Sequence, residues 1–145
     1  MAPEMLQNVH NHILNELQQS SRTDTIFIIS AVLYNLVVLG ISWGVAAGEN
    51  PEVPHPPEND FILAILIVAT LLINIFINKA LQSGKITRMK LLDGLVKMYK
   101  DNNVEKYYDT ELLPTYTTRY KLFSVIITIL AGIAIIIPLL ARILG

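Results

Sequence analysis

Three long stretches without a single charged side chain, residues 25–47, 61–78 and 122–141, constrain this chain more than any other feature. Each is about the ~20 residues that an α-helix needs to cross ~30 Å of hydrocarbon. A small soluble core would have to bury helices that are apolar on every face, whereas a bilayer accepts such helices and leaves their backbone groups paired internally. The sequence therefore predicts an all-α integral membrane protein with three transmembrane helices.

The composition agrees with this prediction. Hydrophobic residues make up 52% of the 145 residues, the mean hydropathy is +0.48, and charged residues make up 16%. An ordinary soluble domain has roughly 25% charged residues. The predicted spans, 25–47, 61–78 and 122–144, leave too little chain for a separate soluble catalytic domain. There are no cysteines, which excludes disulfides and thiolate metal sites.

The basic residues predict the orientation. Nine of the eleven lysines and arginines lie between Lys79 and Lys121, whereas the other connection, 48–60, has none and carries four acidic residues. Because lysine and arginine are retained on the cytoplasmic side, we expect a cytoplasmic N-terminus, a cytoplasmic 79–121 connection and a C-terminus outside. The membrane can be that of the cell or of an organelle. Arg142, near the outer end of span three, is expected to reach the headgroups as an interfacial anchor.

The segments outside the spans differ in character. Residues 3–20 place apolar side chains at helical spacing and predict an amphipathic interfacial helix, and the 48–60 loop is acidic and rich in proline. In the 79–121 connection, Gly84 is expected to end or bend the helix that leaves the membrane. A turn at 101–103 and a short helix over 104–113, stopped by Pro114, are expected to follow.

A basic helix is predicted over 85–99, with an apolar stripe flanked by cationic side chains. Such a helix suits the surface of an anionic leaflet. The expected contacts to lipid headgroups are Lys85, Arg88, Lys90, Lys97 and Lys100.

Small residues recur every four positions in two spans, which is typical of faces where transmembrane helices pack closely. The predicted helix-packing interface consists of Gly40, Gly44 and Gly48 near span one and Ser124, Thr128 and Gly132 in span three. For the glycine register, packing against the other spans of the same chain is favoured over packing against a second copy.

Neutral polar residues at membrane depth form a second pattern. Asn35 in span one and Thr70, Asn74 and Asn78 in span two fall in the half of the membrane that we predict to be cytoplasmic. They predict an intramembrane polar cluster that holds helices together by hydrogen bonds, or alternatively one that lines a hydrated conduit. Coupled proton transport lacks its usual carriers, because the stretches contain no acidic, basic or histidine side chain.

No pattern in the chain indicates a reaction. Phosphate-binding, dinucleotide-binding, zinc-protease and serine-hydrolase motifs are all absent from the sequence. His10 and His12 are two residues apart and lie on different helix faces, so we expect no shared metal and no cofactor. We expect no nucleic-acid partner, because acidic residues are interspersed among the tyrosines of the long connection.

Two functions remain from this reading. The first is a non-catalytic structural or accessory subunit of a larger membrane assembly, whose partners are the lipid bilayer and other membrane protein subunits. The alternative is a self-associating ion channel or membrane effector, in which copies of the chain close a ring around an Asn/Thr-lined conduit. An enzyme is not expected, because no credible catalytic residues are present.

Overall fold

The computed structural model describes residues 3–47, 56–109 and 111–144, with only the backbone of Leu112. Helices make up this part of the chain: α1 (Pro3–Ala47), α2 (Pro57–Asp101), a 3-10 helix (Glu105–Tyr107) and α3 (Leu112–Leu144). By length and composition, α1, α2 and α3 can each cross a membrane. The protein is thus all-helical, with three helices long and apolar enough to be transmembrane. The predicted 48–60 loop lies mostly outside the described residues.

The first helix is one element where two were expected. Residues 3–20 and 25–47 belong to a single 45-residue helix with no break between them. The polar segment between them contains neither glycine nor proline, and Thr23 and Thr25 donate hydrogen bonds to the carbonyls one turn earlier, at 3.1 and 2.9 Å. A helix can therefore continue through these residues. The prediction that residues 3–20 form a helix of their own is wrong, whereas their interfacial position stays a prediction.

The second helix passes through Gly84 without ending. The prediction that the helix ends at this residue is wrong, although glycine in a helix interior costs ~1 kcal/mol relative to alanine. The alternative, a bend at Gly84, stays a prediction. Glycine suits this position because Asp24 lies directly against it and leaves no room for a Cβ atom.

The turn after α2 was predicted correctly. Asn103 has a φ of 58°, and the amides of Asn103 and Val104 donate to the carbonyls of Lys100 and Tyr99 at 3.1 and 2.9 Å. This is the pattern of a Schellman motif, in which asparagine tolerates the left-handed conformation that ends a helix. The helix predicted over 104–113 is not present: a single 3-10 turn occupies 105–107, and Pro114 lies in the first turn of α3, where its missing N–H has no intrahelical partner to lose.

The chain forms two compact units, which we describe separately. Unit one contains residues 1–27 and 80–122, and unit two contains residues 28–79 and 123–145. In unit two the buried residues of α1 and α3 recur at steps of three and four, as in left-handed helix bundles. Those of α1 are Ala31, Asn35, Val38, Ser42 and Ala46, and those of α3 are Ile127, Ala131, Ala134 and Pro138.

The outer faces of unit two are apolar. Leu33, Leu72 and Phe76 keep 58%, 64% and 67% of their surface exposed. Exposed side chains of this size are unfavourable in water but match the interior of a bilayer. In unit one, by contrast, the buried set includes Leu81, Leu92, Leu95, Tyr120 and the carboxylate of Asp24.

Candidate functional site

The predicted intramembrane polar cluster lies at the centre of unit two. Asn35 of α1 and Asn74 of α2 face each other and exchange two amide hydrogen bonds, each 2.9 Å from nitrogen to oxygen. Their exposed fractions are 1% and 5%. The second N–H of Asn74 donates to the carbonyl of Thr70 at 2.8 Å. Both amide groups are therefore used within the helix pair.

The cluster continues to the third helix through Asn78. Its amide nitrogen donates to the carbonyl of Asn74 at 3.0 Å, and its oxygen accepts a hydrogen bond from the Ser124 hydroxyl of α3 at 2.5 Å. The buried hydroxyl of Thr70 donates to the carbonyl of Leu66 at 2.7 Å. Unit two thus brings together all four residues predicted for the cluster with Ser124 of span three.

We call this cluster the asparagine seam; it consists of Asn35, Thr70, Asn74, Asn78 and Ser124. Every polar side-chain atom in the asparagine seam has a hydrogen-bond partner. Across the described ranges 3–47, 56–109 and 111–144, no buried side-chain nitrogen or oxygen lacks a hydrogen bond. An interhelical hydrogen bond in a membrane contributes ~0.6–2 kcal/mol. The geometry is therefore that of neutral groups that pair with one another, and it supplies no acid, base or nucleophile.

The glycine register does not contribute to this seam. Gly40 and Gly44 are exposed, and a Cβ atom built on either would meet nothing within 4 Å. Our preference for packing against the chain's own spans is therefore wrong for these two glycines, because α1 packs through Asn35, Val38 and Ser42 on its other side. Gly48 lies outside the described residues. Contact of this face with another molecule stays a prediction.

Of the small residues predicted to pack in span three, one contacts another helix and two do not. Ser124 is half-buried and bonded to Asn78, whereas Thr128 is exposed and donates to the carbonyl of Ser124 at 2.8 Å. A Cβ atom on Gly132 would meet nothing within 4 Å. The face that packs is instead the neighbouring one, which carries Ala131 and Ala134.

A cluster of ionisable side chains in unit one was not predicted from the sequence. Asp24 of α1 retains only 7% exposure and accepts a hydrogen bond from the hydroxyl of Tyr120 in α3. A methyl group on Gly84 of α2 would overlap Asp24 Oδ1 and would lie 3.3 Å from its Cγ. Burial, followed by the Asp24 hydrogen bond, raises the pKa of Tyr120 above its ordinary value of 10.0, so the phenol remains a donor at physiological pH. The available signal was the position of Asp24, a lone acid in heptad register with the residues that pack along α1.

Arg88 of α2 also belongs to this cluster, because it contacts Tyr120. Its guanidinium donates to the carbonyl of Leu17 at 3.4 Å and lies over the rings of Tyr116 and Tyr120, 5.5 and 5.7 Å from their centroids. These contacts use part of the guanidinium within unit one, and a contact of Arg88 with lipid headgroups stays a prediction. Among the other predicted headgroup residues, Lys85 is half-buried and Lys90, Lys97 and Lys100 are exposed.

Two further predicted features have ordinary roles. His10 lies 3.1 Å from the Tyr99 hydroxyl, and His12 is exposed on another face. In unit two, Arg142 forms an ion pair with Asp60 at 2.5 Å, so it is not only the isolated interfacial anchor that we expected. No group of three or more potential metal ligands occurs among the described residues.

Comparisons of the chain with known protein families, with curated proteins and with solved structures find no match. The functional argument therefore depends on the residues and their geometry.

Proposed function

We propose that the protein is a non-catalytic structural or accessory subunit of a membrane assembly. The observation that carries this proposal is a contrast within unit two. The buried polar side-chain atoms all have hydrogen-bond partners, whereas the exposed glycines of α1 have no neighbouring atoms beside them. The asparagine seam uses its hydrogen bonds within the chain, whereas Gly40 and Gly44 leave a stretch of α1 without side chains on the exposed surface. A helix of another molecule can approach such a surface closely.

The saturated seam weighs against the channel alternative. A conduit needs polar groups that are free to exchange partners with water and ions. Asn35 and Asn74 are almost completely buried and bind each other, so opening a conduit along them would require breaking two amide hydrogen bonds. The same pairing supports a role of the seam as an adhesive between helices.

The proposed topology follows the distribution of basic residues. It places the N-terminus and the 79–121 connection in the cytoplasm and the C-terminus outside. Because the chain has no cysteine, single cysteines can report the side directly. Cysteine at the exposed position of Lys90 should react with an impermeant maleimide only after the membrane is opened. Labelling of intact cells at this position would contradict the topology.

The test of the function is recovery of the protein from native membranes in a mild detergent, followed by native mass spectrometry. The proposal expects other membrane proteins at fixed stoichiometry. Gly44→Ile should remove at least one of them, because the added side chain fills the open face. Gly94→Ile is the matched control, since Gly94 lies in unit one and also has nothing within 4 Å of a built Cβ.

Two results would contradict the proposal. Recovery of copies of this chain alone, with a conductance in reconstituted bilayers, would favour the channel. Equal partner recovery by the two glycine variants would show that the open face of α1 is not the contact surface.

A further inference from the structure

Asp24 is a buried acidic side chain that forms no ion pair in the described part of unit one. Its carboxylate retains 7% exposure and receives a single hydrogen bond, from Tyr120. The ion pairs of the described residues join Lys97 to Asp93 and Arg142 to Asp60, and none includes Asp24. The nearby Arg88 directs its guanidinium to the Leu17 carbonyl and to two tyrosine rings. A buried carboxylate with one hydrogen bond is unfavourable unless a cation or further donors reach it.

A cavity of about 280 Å³ adjoins this carboxylate, and we call it the Asp24 cavity. It lies between α1 and α2 within unit one, and seven of its ten lining residues carry a side-chain oxygen. These include the carboxylates of Glu16 and Asp24 and the hydroxyls of Ser20, Ser83 and Thr87. None of the lining residues has a cationic side chain. The cavity thus presents many hydrogen-bond acceptors and negative charge.

The position of the cavity along the chain matters for what can reach it. Asp24 directly precedes the apolar stretch that begins at residue 25, and Ser83 follows the stretch that ends at residue 78 by five residues. Phe27 and Ala80 line its end nearest the apolar stretches. Residues at such boundaries lie at the depth of lipid headgroups.

We propose that the Asp24 cavity binds a primary ammonium group, carried either by a lipid headgroup such as ethanolamine or by a soluble amine. A primary ammonium has three N–H donors, which match the Asp24 carboxylate together with the hydroxyls of Ser20 and Ser83. A charge-assisted hydrogen bond to a carboxylate is about twice as strong as a neutral one. The ammonium also supplies the missing positive charge.

The same residues disfavour the other common cations. Calcium takes 6–8 oxygen ligands at 2.3–2.6 Å. Glu16 and Asp24 are separated by eight residues of one helix, or ~12 Å, so they cannot coordinate one metal ion together. A quaternary ammonium is recognised by a cage of aromatic faces, and Phe27 is the one aromatic residue that lines the cavity.

The first experiment places the full-length protein in lipid nanodiscs that contain equal amounts of phosphatidylethanolamine and phosphatidylcholine with identical acyl chains. Native mass spectrometry then gives the ratio of the two lipids that remain bound. If the source is a lipid, the wild type should retain phosphatidylethanolamine preferentially, and Asp24→Asn should reduce this preference at least about tenfold. Asparagine preserves an acceptor for Tyr120. Asp93→Asn is the matched control, because the Asp93 side chain is 64% exposed.

The second experiment distinguishes a soluble amine. Putrescine is titrated calorimetrically into protein in nanodiscs of phosphatidylcholine alone. Saturable binding that Asp24→Asn weakens at least about tenfold, without a lipid preference in the first experiment, assigns the cavity to soluble amines. Ser83→Val narrows the cavity without changing Asp24, so it should weaken binding even if Asp24→Asn does not fold.

Three results would overturn the proposal. The first is the absence of both the lipid preference and putrescine binding. The second is that either property is unchanged in Asp24→Asn and in Ser83→Val. The third is Asp24-dependent binding of calcium or sodium ions without binding of either amine, which would make the cavity a metal site.

Discussion

Replacing Gly84 by alanine should destabilise the protein, although alanine is the better helix former. At an exposed helix position this substitution stabilises by ~1 kcal/mol. At Gly84 the new methyl group would overlap Asp24 Oδ1 and approach Oδ2 to 3.4 Å. The aspartate has little room to move, because it is buried and bound to Tyr120. Overpacking of this kind typically costs ~1–3 kcal/mol, so we expect a net loss of up to ~2 kcal/mol.

Gly94 provides the internal control for this prediction. It lies on the same helix and in the same unit, but a Cβ built on it meets nothing within 4 Å. Gly94→Ala should therefore show the ordinary stabilisation of ~0.5–1 kcal/mol. The measurement is reversible unfolding in detergent, followed by far-ultraviolet circular dichroism, for both variants under the same conditions.

A double-mutant cycle separates the steric cause from a general effect on α2. In an Asp24→Ala background the carboxylate is gone, so Gly84→Ala should become neutral or stabilising. The coupling free energy between the two sites is expected to be at least ~1 kcal/mol, within the range for residues in direct contact. If Gly84→Ala stabilises the wild type as much as Gly94→Ala does, or if the coupling is zero, Asp24 does not lie close enough to Gly84 to exclude a methyl group.

Three other predictions concern single contacts. Asn74→Leu should lower the unfolding free energy by ~1–3 kcal/mol because Asn35 is left unpaired. Changing both asparagines to leucine should lower it by less. Unfolding experiments in which the single and the double variant lose the same stability would contradict the pairing of Asn35 with Asn74. The wild-type protein should lose stability as the pH rises above about 10, and Tyr120→Phe should reduce this loss. The pKa of Tyr120 is raised above its ordinary value of 10.0 in the folded state, so the phenol stabilises the fold below that pH and its contribution disappears as the pH rises further. Identical pH profiles for wild type and variant would refute this. Lys97→Ala should leave the unfolding free energy unchanged within the error of the measurement, because its ion pair with Asp93 is exposed to solvent.

Much of the fold was readable from the sequence because the relevant energies are local. Transfer of an apolar side chain into lipid depends mainly on that side chain, so three uncharged stretches predict three membrane-spanning helices. The turn at 102–103 was readable for the same reason, since asparagine tolerates the backbone conformation that ends α2. The residues of the asparagine cluster were also identified, because few polar residues occur at membrane depth.

Other features depend on which helix lies against which, and a single sequence does not contain that information. Gly84 is a helix breaker by local propensity, but α2 continues through it, and Asp24 of a neighbouring helix lies where a methyl group would otherwise be. The glycine register was assigned to packing within the chain, yet α1 turns another face to its neighbours. The partners of Asp24 and Arg88 are 96 and 71 residues away along the chain. Only the tertiary structure decided these pairings, because the free energy of a buried polar group is set by the partners that reach it and not by its own residue type.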